Sequence, residues 1–162
     1  MFNETLQVSV VVRDLEGAME TYVRDYGIGP WAIYEFNPET VSGMHERGEP
    51  VAHSWRLALA QVGQAQWELV QPLDDDSVYA QFLATNVPGV HHVGVGVRSY
   101  EGTISELAER GHDVLLGGEY NGINFAYLST DRDLGVITEI FSGAPGEDQK
   151  PDAVYPPPSA SP

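Results

Sequence analysis

One segment of this chain occurs twice: Gln7-Val-Ser-Val-Val-Val-Arg-Asp-Leu-Glu-Gly17 returns as His92-Val-Gly-Val-Gly-Val-Arg-Ser-Tyr-Glu-Gly102. The offset of 85 residues is constant and superimposes Val8, Val10, Val12, Arg13, Glu16 and Gly17 on Val93, Val95, Val97, Arg98, Glu101 and Gly102. A chain that repeats a strand and the start of a helix is constrained to fold as two copies of one unit. A second related pair, Gln66-Trp-Glu-Leu-Val70 and Ile137-Thr-Glu-Ile-Phe141, closes each copy with an acid inside an otherwise apolar strand. Four polar side chains, Gln7, Glu68, His92 and Glu139, therefore fall at corresponding places in the two copies.

Between these anchors the pattern is strand, helix and three strands, twice. Leu6 to Val12 is rich in β-branched residues; Asp14 is placed to cap a helix, and Leu15, Ala18, Met19, Tyr22 and Val23 follow at helical spacing before Gly27. Strands are expected over Trp31 to Phe36, Ala52 to Val62 and Ala65 to Val70, the last two joined by a turn at Gly63-Gln64. A short helix over Ser77 to Thr85 links the halves. In the second copy the strand His91 to Val97 and the helix Tyr100 to Arg110 precede strands over Asp113 to Leu116, Ile123 to Leu128 and Val136 to Phe141.

A 162-residue chain, 42% hydrophobic, can bury one sizeable core, which fits two half-domains in one domain over residues 1–142, with modules at about 5–73 and 90–142. The Pro-rich segment 143–162 lacks periodicity and is expected to be a tail, disordered or packed on a partner, with Val154 and Tyr155 as its anchors. No apolar run approaches the ~20 residues needed to span a bilayer, and Met1-Phe2-Asn3-Glu4 lacks the basic start of a secretory signal, so a cytoplasmic protein is expected. The net charge of −16 repels phosphate backbones and anionic lipid, which argues against nucleic acid and membrane as partners. With no cysteine, a metal site must use nitrogen and oxygen ligands.

An acid inside a buried strand is costly unless compensated, and Glu68 and Glu139 both have apolar neighbours. One divalent cation would compensate both, with the His92 imidazole and the Gln7 amide completing four ligands and open positions left for substrate. Side chains alternate along a strand, so His92 shares a face with Gly94 and Gly96, which leave room beside it or allow close backbone packing.

These residues resemble the vicinal oxygen chelate superfamily, which includes glyoxalase I, methylmalonyl-CoA epimerase, extradiol dioxygenases and bleomycin-resistance proteins. The resemblance runs from about Leu6 to Phe141. Val12-Arg-Asp-Leu-Glu-Gly-Ala-Met-Glu-Thr-Tyr-Val-Arg-Asp-Tyr-Gly27 is similar to the family's first strand-to-helix motif. Trp67-Glu-Leu-Val-Gln-Pro-Leu73, Gly89-Val-His-His-Val-Gly94, Gly122-Ile-Asn-Phe125 and Gly135-Val-Ile-Thr-Glu-Ile140 are similar to the epimerase branch. The resemblance implies an α+β fold of two tandem βαβββ modules forming a cupped, partly open mixed sheet around one metal. It implies Gln7, Glu68, His92 and Glu139 as ligands, a set similar to that of human-type glyoxalase I, with His91 pointing outward or standing behind His92. The ion would be Zn, Ni, Co, Mn or Fe.

The implied activity is that of a redox-neutral isomerase, epimerase or lyase acting on a small oxygenated carbonyl compound through a metal-stabilised enolate. Glu139 is the first choice as general base and Glu68 the second. The epimerases take a second base from the third strand of the first module, and the matching stretch Trp55-Arg56-Leu57-Ala58 contains no acid. A lactoylglutathione lyase of glyoxalase I type is the alternative enzyme, and a small-molecule sequestering protein the alternative of another class. Trp31, Tyr34, His53, Trp55, Phe125 and Tyr127 are expected to contact substrate, the polar loop Asn37 to Pro50 to act as a lid, and the chain to form a homodimer.

Overall fold

The computed structural model describes residues 1–144, 146 and 150–158, so residues 145, 147–149 and 159–162 of the expected tail lie outside the described residues. The first module comprises β1 (Phe2–Val11), α1 (Leu15–Tyr26), β2 (Trp31–Phe36), β3 (Val41–Glu46), β4 (Glu49–Pro50), β5 (Trp55–Val62) and β6 (Ala65–Pro72). After α2 (Val78–Thr85), the second comprises β7 (Gly89–Val97), α3 (Tyr100–Glu109), β8 (Val114–Tyr120), β9 (Ile123–Leu128), α4 (Asp131–Leu134) and β10 (Ile137–Gly143). A last strand, β11 (Ala153–Tyr155), follows.

Eleven strands form one mixed sheet in the order β11-β2-β5-β6-β1-β7-β10-β9-β8-β3-β4. In each module the first strand pairs parallel with the last, β1 with β6 and β7 with β10, and the modules join through antiparallel β1 and β7. Strands β2 and β8 stand seven places apart, which in a flat sheet would separate them by roughly 34 Å. Yet Phe36 on β2 and Tyr120 on β8 stack with ring centroids 4.1 Å apart. The sheet therefore bends into a cup whose two rims meet.

Helices α1 and α3 start alike because their caps are the same device. Asp14 accepts a hydrogen bond from the Gly17 amide, and Ser99 accepts one from the Gly102 amide. A Cβ at either glycine would run into the capping side chain, which explains why glycine recurs at both repeat positions. Gly27, at φ 66°, ends α1 in the left-handed conformation with its amide on the last carbonyls. On the convex side Leu15 and Met19 pack with Trp31, Ile33 and Leu69, while Leu107 of α3 packs with Val95, Leu128 and Ile140. Each such fully buried side chain contributes about 1.5–3 kcal/mol relative to exposure. The concave side holds a third cluster shared by both modules, including Trp55, Leu57, Tyr79, Phe125 and Tyr127.

Two segments differ from expectation. The segment Asn37 to Pro50, expected as a lid loop, forms the hairpin β3–β4 and pairs with β8 of the other module, burying Val41 and Met44. A register shift between Ser42 and His45 breaks its alternation, and this hid it as a strand. In the tail, expected to be disordered or on a partner, β11 pairs antiparallel with β2 of its own chain. Asp152 reinforces the pairing by accepting from the Glu35 amide at 2.9 Å. No helix among the described residues is long and apolar enough to cross a membrane.

Candidate metal centre and cavity

Strand register fixes the site. One row across the concave face runs Gln66, Gln7, Gly94, Glu139 and Tyr127, and the next runs Leu59, Glu68, Ser9, His92 and Ile137. Gln7, Glu68, His92 and Glu139 thus come together at the junction of the modules, all buried and all from one chain. Gly94 stands between Gln7 and Glu139, where a Cβ would lie 2.9 Å from Gln7 Cβ and 3.1 Å from Phe141 Cε2. Its lack of a side chain makes room for the Gln7 amide.

His92 Nε2 lies 3.2 Å from Glu68 Oε2 and 3.2 Å from Glu139 Oε2. Among the described residues, Glu68 Oε2 and His92 Nε2 are buried without a hydrogen-bond partner, a costly arrangement for two polar groups in an apolar cup. Ligand bonds of about 2.1 Å place neighbouring ligand atoms roughly 3.0–3.4 Å apart in octahedral or tetrahedral shells. The observed 3.2 Å edges and the nitrogen and oxygen donors fit a divalent ion.

The second imidazole nitrogen is also accounted for. A bulge between Ser9 and Val10 leaves His91 as the extra residue of β7, and it turns inward against Tyr79 and Phe82. His91 Nδ1 lies 3.0 Å from His92 Nδ1. Burial and the neighbouring His92 charge push the His91 imidazole down to about 3, so it stays neutral and accepts the His92 Nδ1–H. Burial would also lower His92, but the Glu139 and Glu68 carboxylates outweigh it and raise His92 to about 9 without a cation. Burial raises Glu139 to about 7 against the opposing pull of His92. The Tyr127 ring packs against His92 at 4.4 Å, tilted by 32°, and its hydroxyl is hydrogen-bonded to that of Tyr79 at 2.6 Å.

Gln7, Glu68, Glu139 and Tyr127 form the floor of a cavity of about 630 Å³, with His92 buried beneath them. Of the residues expected to contact substrate, Tyr34, Phe125 and Tyr127 line it. Trp31 does not: it faces the helices beside Tyr22, on the same side of β2 as Ile33. Trp55 is buried behind the wall, stacked under Phe36 at 5.1 Å. His53 lies outside, 3.1 Å from Glu46 and 3.4 Å from Asp74, fastening the β3–β4 hairpin to the start of α2. The ligand atoms of His53, Asp74 and Asp76 lie within 4.8 Å of one another and could hold an ion, although both His53 nitrogens already face carboxylates. Arg56 points to the helix side and pairs with Glu16. Sequence reasoning missed Ser9, whose buried hydroxyl has no partner among the described residues and which sits in register between Glu68 and His92; its place two residues from Gln7, on the same strand face, was the available signal.

Residues 6–127 match the family described as the glyoxalase/bleomycin resistance protein/dioxygenase superfamily, and the chain belongs to it. No curated protein matches the sequence. Among solved structures, a hypothetical protein from Bacillus halodurans C-125 is similar with a TM-score of 0.68 and 20% identity, covering 90% of this chain and 98% of its own. A methylmalonyl-CoA epimerase in complex with methylmalonyl-CoA and ammonium has a TM-score of 0.68 and 22% identity over 89% of this chain and 96% of its own. The methylmalonyl-CoA epimerase from Mycobacterium tuberculosis has a TM-score of 0.66 and 24% identity over 90% and 91%. At these identities the likeness is one of fold.

Proposed function

We propose that this protein is a divalent-metal-dependent, redox-neutral isomerase, epimerase or lyase that removes the proton beside a carbonyl in a small oxygenated substrate. The observation that supports it most is the convergence of His92 with Glu68 and Glu139 at 3.2 Å, two of their atoms unpartnered, on the floor of a cavity. Gln7, Glu68, His92 and Glu139 would hold the ion, which when bound supplies Lewis-acid charge to a substrate carbonyl oxygen.

The chain's own groups do the rest. Glu139, released from the ion, would accept the proton from the carbon beside the carbonyl, and its burial raises its affinity for that proton. Tyr127, bonded to Tyr79 and packed on His92, fixes the wall against which Glu139 lies. Glu68, across His92 from Glu139, is the second acceptor, in keeping with the absence of an acid in Trp55-Arg56-Leu57-Ala58.

Metal content is the test. Untagged wild type is expected to hold about one divalent ion per chain, and His92→Ala and the Glu68→Ala/Glu139→Ala pair to lose it. Wild type that stays empty after incubation with zinc, nickel, cobalt, manganese or ferrous ions would overturn the proposal. A sequestering protein would bind its ligand equally well as Glu139→Gln, whereas the enzyme loses turnover in that variant by about 10²–10⁴-fold.

A further inference from the structure

The cavity also constrains what enters it. Six aromatic rings line it: Tyr34, Phe36, Tyr120, Phe125, Tyr127 and Phe141. Leu6, Leu57, Leu59 and Ile123 fill the wall between them, and Gln61, Gln64 and Gln66 stand at the exposed end by the β5–β6 turn. The Gln61 amide is turned inward on the Gly63 and Ala65 carbonyls, so its own carbonyl is the group left for a ligand. Among the described residues, none of the chain's eight bases lines this cavity. Arg47, Arg110 and Arg132 line a separate cleft beside α4, Arg56 pairs with Glu16 on the helix side, Arg13 bonds the Leu83 carbonyl and Arg24 pairs with Asp25.

Charge bookkeeping is then one-sided. Glu68 and Glu139 neutralise a divalent ion, His92 is neutral as a ligand, and nothing on the walls offsets an anionic group remote from the floor. A net charge of −16 adds long-range repulsion for polyanions. Stacked rings with amides at the rim suit a flat apolar body carrying hydrogen-bonding oxygens, and about 630 Å³ is within the usual range for a drug-sized ligand. We infer that the substrate is an uncharged aromatic hydroxy-ketone or related carbonyl compound, and neither a coenzyme A thioester nor a glutathione adduct. The inference rests on the metal-dependent reading above and departs from the ligand of the structurally similar epimerases.

The test uses metal-loaded, full-length protein and three probes: benzoin, methylmalonyl-CoA and the hemithioacetal of methylglyoxal with glutathione. Calorimetry gives affinity, and deuterium uptake from solvent at the carbon beside the carbonyl, followed by NMR, gives proton abstraction. Benzoin is expected to bind at least about tenfold more tightly than either anionic probe, and Gln66→Lys to narrow that gap by strengthening the anionic probes alone. Equal or tighter binding of either anionic probe, or binding of none of the three, overturns the inference. If benzoin binds selectively but no deuterium enters with any metal, the substrate-class inference stands and the enzymatic reading fails. Deuterium uptake with a tightly bound thioester does the reverse.

Discussion

Replacing Gly94 by alanine tests whether the site is built by the absence of a side chain. In open space alanine in a strand would be favoured over glycine by roughly 0.5–1 kcal/mol. Here the new methyl group would sit 2.9 Å from Gln7 Cβ, 3.1 Å from Phe141 Cε2 and 3.2 Å from Gln7 Oε1. Gln7 Cβ is held by the strand, so the strain cannot be relieved by a side-chain tip alone. Overpacking of this kind costs about 1–3 kcal/mol, which reverses the sign of the propensity effect. For a chain of this size the loss translates to a fall in Tm of roughly 2–4 °C per kcal/mol. The Gln7 amide is pushed off its position as well, so metal affinity should fall alongside stability. Gly96→Ala is the control, because the nearest neighbours of its methyl group would be the exposed Asn3 and Glu4 side chains, which can swing away. Calorimetric Tm and metal titration of both variants are the assays. Gly94→Ala that melts at or above the wild-type temperature with undiminished metal content would refute the reasoning.

His91→Phe keeps the packing against Tyr79 and Phe82 but removes the acceptor of His92 Nδ1–H, so metal affinity is expected to drop about 10–100-fold in a competitive chelator titration; unchanged affinity would assign His91 to packing alone. Deleting Ser42 to Arg47 removes a strand paired with β8, so it should lower the urea midpoint together with activity, whereas a free lid would leave the midpoint where it was. Burial pushes the Asp74 carboxyl up, but hydrogen bonds from Ser77 and the Ser54 amide outweigh it and hold the group below the usual carboxylate range. That depressed value contributes stability which is full above the unfolded-state value of about 3.9 and is lost as pH falls through the folded one. The difference in urea midpoint between wild type and Asp74→Asn should therefore be largest near neutrality and shrink below about pH 4, and a gap that does not change with pH would contradict it.

The repeat made both modules and the meeting of four polar side chains legible, because an antiparallel junction of two identical strands brings equivalent residues together across a local twofold axis. Gln7 faces Gly94 and Ser9 faces His92, so Gln7 and His92 end diagonally opposed beside that axis. Face assignment by alternation was also available: Tyr34 and Phe36 share one side of β2, and Trp31 and Ile33 the other. Grouping Trp31 with Tyr34 as substrate contacts set that alternation aside. His91 was expected either outward or behind His92, and the choice between the two was not legible, since a bulge depends on how two strands pair and no composition signals it. The hairpin β3–β4 and the strand β11 gain their order from partners distant in sequence, β8 and β2, which a local pattern does not reveal.

The ends of the sheet bear on how the molecule meets others like it. At one end β4 has two residues and finishes in Pro50; at the other β11 has three, preceded by Pro151 after Lys150 and followed by Pro156, Pro157 and Pro158. A proline has no amide hydrogen to donate, and so short a strand offers an incoming chain only one or two bonds. An eleven-stranded sheet with free margins would be a template for stacking copies edge to edge into fibres. Here both margins end in short strands bordered by proline, which disfavours pairing of copies edge to edge.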